Sequence, residues 1–390
     1  MVEEDTNKAP DSLVRSGSVV SAMTMVSRVF GLIRDMVIAN YFGAGSGADA
    51  FFVAFRIPNF FRRLFGEGAF SQAFIPVLSE YKARQPYAEV KALVDRVTGT
   101  LGVFLFTLTV VGVFAAPIII YLFAFGFAYN DEHEKLALAG EMLRITFPYL
   151  MLISLTALSG AVLNTYGKFA VPAFTPVLLN LSLIICAIYL RPYLEEPVTA
   201  LAWGVLIAGV AQLTYQLPHL ARIKMLPLPR FDWHHEGVRR ILMLMLPAMF
   251  GVSVGQINLL LDTVLASFLQ DGSISWLYYS DRLLELPLAL FGITIATVIL
   301  PNLSTRFAEK SPDEFSRTLD WAVKMVCLVG IPASVALIYL AEPLITALFF
   351  HGELTERDVT MSAYSLQAYA VGLLGQRGGL VALIRRQTAL

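Results

Sequence analysis

The chain predicts an all-α fold, a polytopic membrane helix bundle with about ten transmembrane helices. Composition points there first: of 390 residues, 56% are apolar and only 15% are charged. Mean hydropathy is +0.65, whereas a soluble domain carries about 25% charged residues to build its surface. Second, apolar runs of about 20 residues recur, each long enough to cross a hydrocarbon core of about 30 Å. Third, basic residues cluster in alternate connections, as orientation by positive charge on the inside predicts.

Segment 1–17 is polar, mixed in charge and without a cleavable signal pattern, so the first apolar segment reads as an uncleaved anchor. Helices are expected at 18–42, 48–66, 93–124, 138–165, 171–191, 197–218, 240–269, 274–300, 319–341 and from about 359. A short interfacial helix is expected around Phe70–Arg84. Pro58, Pro148, Pro287 and Pro332 fall inside or near the ends of these segments, where membrane helices tolerate them as bends.

With the N-terminus inside, the inner connections hold Lys82, Arg84, Lys91 and Arg96; then Lys168; then Arg222, Lys224, Arg230, Arg239 and Arg240; then Arg306, Lys310 and Arg317. The outer ones hold almost none, Lys135, Arg191 and Arg357 being the exceptions. This is the pattern of a cytoplasmic N-terminus. A faint repeat pairs Ile75–Ala83 with Leu300–Ala308. It starts near the second and eighth helices, which gives a unit of six helices and a parallel repeat about the membrane normal.

Charges inside the apolar segments carry the functional signal, because ionisable groups in lipid are expensive. In 49–81, Asp49, Arg56 and Arg63 recur every seven residues and share one helix face. Glu67 follows Arg63 by four, within ion-pair reach. The first helix holds Arg28, Arg34 and Asp35, each disfavoured by about 2.5–3.5 kcal/mol at a lipid-facing centre. Arg28 and Asp35 share a face, while Arg34 has no comparably placed acidic partner on its helix. The eighth helix repeats the theme with Asp281, Arg282 and Glu285, and the seventh adds Gln256, Asn258 and Asp262. Helices one, two, seven and eight are therefore expected to line one central cavity. Arginines outnumber acids there, counting Arg28, Arg34, Arg56, Arg62, Arg63 and Arg282, so its ligand is expected to be anionic. Guanidinium forks match phosphate oxygens and stay ionised. Arg62 and Arg63 lie near the inner end, where they either snorkel or guard the cavity entrance.

Other chemistry is not signalled. The net charge of −1 excludes a general nucleic-acid binder. Cys186 and Cys327 lie in apolar runs without metal-type spacing, and His234–His235 reads as a solvated interfacial pair. Nucleotide-binding, metalloprotease and serine-hydrolase motifs are missing, so no enzyme, cofactor or metal is expected. Any transport would draw on a gradient or a voltage.

Longer motifs carry a resemblance. Ser21–Asp35, Gly43-Ala-Gly, Asp49–Phe55, Pro58-Asn and Arg62–Pro76 resemble the MurJ/MviN family. Phe147-Pro-Tyr, Gly160–Asn164, Gln216-Leu-Pro218, Gly251-Val-Ser-Val and Tyr278–Pro287 continue the likeness from about Val14 to Gly375. The resemblance implies a lipid II flippase of the multidrug/oligosaccharidyl-lipid/polysaccharide exporter superfamily, serving cell wall peptidoglycan biosynthesis. It implies two pseudo-symmetric six-helix lobes, and lipid II and membrane lipids as partners, with wall-synthesis proteins as further candidates. The family's cavity charges map onto Arg28, Arg34, Asp49, Arg62, Arg63, Glu67, Arg282 and Glu285. The implied mechanism is alternating access, with the diphosphate near Arg28, Arg34 and Arg282.

The expected division is a cytoplasmic segment 1–17, a first lobe 18–220, a cytoplasmic connection 221–239, an incomplete second lobe 240–375 and a divergent tail 376–390. The tail departs from the family after Gly375, as a truncated or frameshifted product would. Two alternatives stay open: export of another lipid-linked oligosaccharide, and an inactive flippase acting as a membrane scaffold.

Overall fold

The computed structural model describes residues 8–287 and 312–387. Among them every regular element is helical. The chain forms two compact units, Met1–Asp271 and Gly272–Leu390.

The first unit opens with α1 (Lys8–Phe42). It ends at Gly43, whose φ of +60° provides a left-handed stop and whose N–H donates to the Ala39 carbonyl at 3.0 Å. Helix α2 (Ser46–Phe61) runs without a break into a π-helical turn, Arg62–Gly68, and then α3 (Ala69–Arg84). Next come α4 (Tyr87–Phe123), the short α5 (Phe125–Tyr129), α6 (His133–Thr146) and α7 (Tyr149–Thr165). The segment expected as one helix over 138–165 is thus divided at Phe147–Pro148, where proline removes a backbone donor. Helix α8 (Ala170–Ile185) continues through a π turn, Cys186–Leu190, and α9 (Thr199–Arg222) follows. Helix α10 (Glu236–Ser267) packs on α3, α4 and the π turn Arg62–Gly68, within the first compact unit.

In the second unit, α11 (Ser273–Pro287) and α12 (Pro312–Phe349) pack on α13 (Glu356–Gln387). A capping box starts α13: Thr355 N–H donates to Asp358 Oδ2 at 2.9 Å, and Asp358 N–H returns to Thr355 Oγ1 at 3.3 Å. Trp276 Nε1 donates to Asp358 Oδ1 at 2.8 Å, and Ser280 Oγ to the Ser362 carbonyl at 2.7 Å, locking α11 to α13. The repeat copy at Leu300–Ala308 lies outside the described residues.

Five described helical stretches are long and apolar enough to cross a membrane: Tyr87–Phe123, His133–Thr165, Ala170–Tyr193, Thr199–Arg222 and Gly330–Phe349. A sixth is formed by Glu236–Ser253 with Gln256–Ser267, bent by 42°. Helices α1, α2 and α11, which carry the charges expected within the membrane, are not among these described stretches. Along α4, Phe106, Phe114, Ile118 and Leu122 are exposed, a face suited to acyl chains and not to water.

The connection 223–235 is strapped across the start of α4. Asp95 accepts from the Leu228 N–H at 2.7 Å and from Lys91 Nζ, and its carbonyl accepts from the Arg230 N–H at 3.0 Å. Arg96 pairs with Asp232 at 3.2 Å, and the Asp232 N–H reaches Thr100 Oγ1 at 3.3 Å. Gly99 permits the close approach, since a Cβ there would meet the Arg230 backbone at 2.3 Å. His235 differs from its expected solvated state. It is half-buried, its Nδ1 has no hydrogen-bond partner, and burial with the nearby Arg96 charge holds its pKa below the usual imidazole value.

Candidate functional site

The stripe read from 49–63 is a real face, and it meets α10 in antiparallel register. Arg56 Nη1 donates to Thr263 Oγ1 at 2.6 Å, and seven residues on Arg63 Nη1 donates to Gln256 Oε1 at 3.4 Å. Both acceptors are neutral, so neither guanidinium is charge-compensated through these bonds.

At the other end of the stripe Asp49 is 1% exposed. Its Oδ2 accepts from Lys135 Nζ at 3.2 Å. The same ammonium lies 2.7 Å from Asp271 Oδ1 and 3.2 Å from Glu132 Oε2, and stands 4.3 Å over the Phe127 ring. Ser46 Oγ donates to the second Asp271 oxygen at 2.8 Å. Three carboxylates and a π face around one buried lysine stabilise its charge where water cannot. Lys135, read from sequence as a stray loop cation, is the hub of this cluster. Arg191, another stray cation, lies 5.3 Å over the Tyr41 ring.

On α1, the expectation that Arg34 lacks an acidic partner on its own helix is corrected. Its Nη2 lies 2.6 Å and its Nε 2.9 Å from Asp35 Oδ1, and its Nη1 donates to Asn180 Oδ1 at 2.9 Å. Asn180 in turn donates to the Ser27 carbonyl at 3.0 Å, tying α8 to α1. Helical spacing favours partners three or four apart, but a long guanidinium also folds back onto its neighbour. Arg34 is 5% exposed and Asp35 2%. Arg28, by contrast, is exposed on the same helix.

The π turn holds Arg62, Arg63 and Glu67. Such turns often occur at functional positions, because one extra residue re-aims the side chains after it. Arg62 Nε donates to Asn59 Oδ1 at 3.1 Å; the Glu67 side chain is outside the described set. A Cβ on Gly68 would lie 2.3 Å from the Arg63 carbonyl, so the turn closes only over glycine. Nothing in residue spacing announced this turn, apart from its two glycines.

In the second unit, Arg282 Nη1 pairs with Glu285 Oε2 at 3.0 Å. Its Nη2 reaches Tyr278 Oη at 3.3 Å, with the guanidinium 5.1 Å over the Tyr278 ring. This pair is partly exposed. Among the described residues no group of carboxylates, imidazoles or thiols has the arrangement of a metal site.

On the face shared by α2 and its π turn, Arg56 and Arg63 are both held by neutral acceptors, and guanidinium forks match phosphate oxygens. The family model for lipid II flippase MurJ matches residues 38–381, six residues into the tail expected to diverge at 376. The chain belongs to the lipid II flippase MurJ family. A probable lipid II flippase MurJ of Vibrio cholerae serotype O1 is 53% identical over 367 residues, covering 93% of this chain and 70% of the relative. The lipid II flippase MurJ of Burkholderia cenocepacia is 45% identical, covering 93% and 71%. Among solved structures, a lipid II flippase MurJ in an inward closed conformation matches with TM-score 0.76 at 32% identity, over 91% of this chain and 72% of that one. An inward-facing multidrug resistance MATE family transporter of the MOP superfamily matches with TM-score 0.69 at 17% identity, over 92% and 81%, and shows the fold alone. Membership in the MurJ family fixes the chain as a multi-pass membrane protein of the two-lobed transporter fold.

Proposed function

We propose that this chain flips lipid II, the lipid-linked peptidoglycan precursor, from the cytoplasmic to the periplasmic leaflet. The observation that carries the reading is its membership in the MurJ family, with relatives named as lipid II flippases at up to 53% identity. The reading places the protein in the bacterial inner membrane with its N-terminus in the cytoplasm, acting as a transporter and not as an enzyme.

Arg28, Arg34, Asp49, Arg62, Arg63, Glu67, Arg282 and Glu285 form the proposed site. Exposed Arg28 and Arg63 and the partly exposed Arg62 and Arg282 are the groups able to receive a diphosphate as a bidentate partner. Arg34 and Asp49 are buried in ion pairs and act by holding α1 and α2 in place. The polyprenyl tail stays in lipid while the polar head changes sides by alternating access. Membrane potential suits the driving role, as one charge moved through 100 mV changes energy by about 2.3 kcal/mol.

The test is complementation. A bacterium depleted of its own lipid II flippase and expressing this chain is expected to grow, and to lyse when Arg28→Ala is introduced at equal membrane level. Lysis with the unaltered chain, or growth with Arg28→Ala, would each count against the reading.

A further inference from the structure

We infer that one acyl chain of a bilayer phospholipid occupies a slot walled by α3, α4 and α10 beside the strap, a site separate from the arginine array and independent of the flippase reading. The slot has a volume of about 110 Å³ and is lined by Phe70, Leu101, Phe104, Trp233, Ile241 and Met245, among others. Its polar contributor, Thr100, already accepts the Asp232 N–H through its hydroxyl.

Water is a poor occupant of such a space, since apolar cavities of about 150 Å³ stay dry and take hydrocarbon instead. An empty slot would leave its lining without dispersion partners. The slot is also not sealed. Phe70 and Ile241 at its floor are buried, whereas Phe104 and Trp233 at its mouth are 44% and 53% exposed. Beyond the mouth, α4 continues as the exposed apolar face of Val103, Phe106 and Val110. What reaches the opening is therefore lipid.

Charge complementarity narrows the class. Arg239, next to the slot-lining Val238, is exposed, and its side chain has no partner among the described residues. Arg96, next to the slot-lining Val97, spends its contact with Asp232 on the strap. Tryptophan prefers the headgroup level, so Trp233 and Arg239 mark the depth of a phosphate, with the slot leading from it into the protein. A narrow slot fits a linear methylene chain better than a methyl-branched polyprenyl one.

The experiment uses the full chain in phosphatidylcholine vesicles containing a phospholipid with a photoreactive diazirine in mid-chain. After irradiation, adducts are mapped by peptide mass spectrometry. Adducts on the slot walls at Phe70, Leu101 and Met245 are expected to exceed those on the outer face at Phe106 and Phe114 several-fold. Val97→Phe fills the slot from α4 and Met245→Phe from α10. Each is expected to reduce wall adducts at least five-fold while outer-face adducts stay unchanged, which also reports intact folding. The unaltered chain giving no excess of wall adducts would overturn the inference without recourse to either variant. Wall adducts that survive both substitutions would overturn it too. Their loss on adding polyprenyl phosphate, but not unlabelled phosphatidylcholine, would assign the slot to a polyprenyl chain instead.

Discussion

Lys135 and Asp49, 86 positions apart in sequence, form a buried ion pair at 3.2 Å. Lys135 also holds Asp271, in the connection between α10 and α11, at 2.7 Å. A single ammonium thus fastens α2, α6 and the end of the first unit. Charged groups this far from water are tolerated only with partners, and removing one partner is harsher than removing both.

Lys135→Met should therefore destabilise the protein by about 3–5 kcal/mol, the usual effect of leaving a buried charge unpaired. The double variant Asp49→Asn with Lys135→Met should recover much of that loss. Thermal unfolding in detergent measures both. Equal melting temperatures for the single variant and the parent would show that the pair contributes nothing.

Gly68→Ala should reshape the π turn, since its new methyl would sit 2.3 Å from the Arg63 carbonyl and 3.1 Å from Val252. Forced overpacking of this kind disfavours the native state by about 1–3 kcal/mol. The expected outcome is a membrane-inserted protein that fails complementation, because Arg62 and Arg63 are re-aimed. Full growth would mean that the turn's geometry is dispensable.

Arg282→Ala should abolish complementation at normal membrane levels, and Arg282→Lys should restore little of it. Lysine replaces a planar fork by a point charge and loses the paired geometry with Glu285 and Tyr278. Normal growth on the alanine variant would remove Arg282 from the proposed site.

His235 should make the strap sensitive to acid. Its folded pKa lies below the unfolded value of about 6.5, so the neutral form is the one the fold prefers. The stabilisation is complete above about pH 6.5 and declines as pH falls towards the folded pKa, where the unfolded strap binds the extra proton. Burial and Arg96 push this way, against the weaker opposing pull of Asp232, Glu89 and Glu236. The protection factors of amides in 228–235, corrected for the intrinsic pH dependence of exchange, should fall between pH 7.5 and 5.5, and His235→Asn should remove the difference. A parent strap with the same protection at both values would contradict it.

Orientation is open to direct labelling. In a background without Cys186 and Cys327, Tyr193→Cys should react with an impermeant thiol reagent on intact spheroplasts. Phe231→Cys should react only after permeabilisation. Both parent side chains are exposed, so access is decided by the side of the membrane. The opposite pattern would invert the topology.

Much of this architecture is legible in residue spacing, and the misses have identifiable physical causes. Seven-residue spacing put Asp49, Arg56 and Arg63 on one face because two helical turns nearly close after seven. The partners were harder, since Thr263 is an ordinary residue in a membrane helix until an arginine reaches it. Lys135 reads as a loop cation, and only the acids beside it, Glu132 and Glu134, hint that it is neutralised. The Arg34–Asp35 pair escaped because helical-face reasoning looks three and four residues away and not to the next one. The π turn is hinted at only by Gly66 and Gly68. The division at Phe147–Pro148 escaped as well, because a membrane helix can carry proline as a bend without breaking.

The seam between α2 and α10 has one more consequence. Arg56 and Arg63 are held there by a hydroxyl and an amide, bonds to a charged group worth about 1.5–3 kcal/mol each. Had aspartates stood in place of Thr263 and Gln256, parting the helices would strand two anions in a poor dielectric, and the joint would be nearly permanent. With neutral acceptors, parting the helices breaks two charge–dipole bonds and leaves no unpaired carboxylate at Thr263 or Gln256. The joint is a reversible fastener, and its grip should barely change with salt.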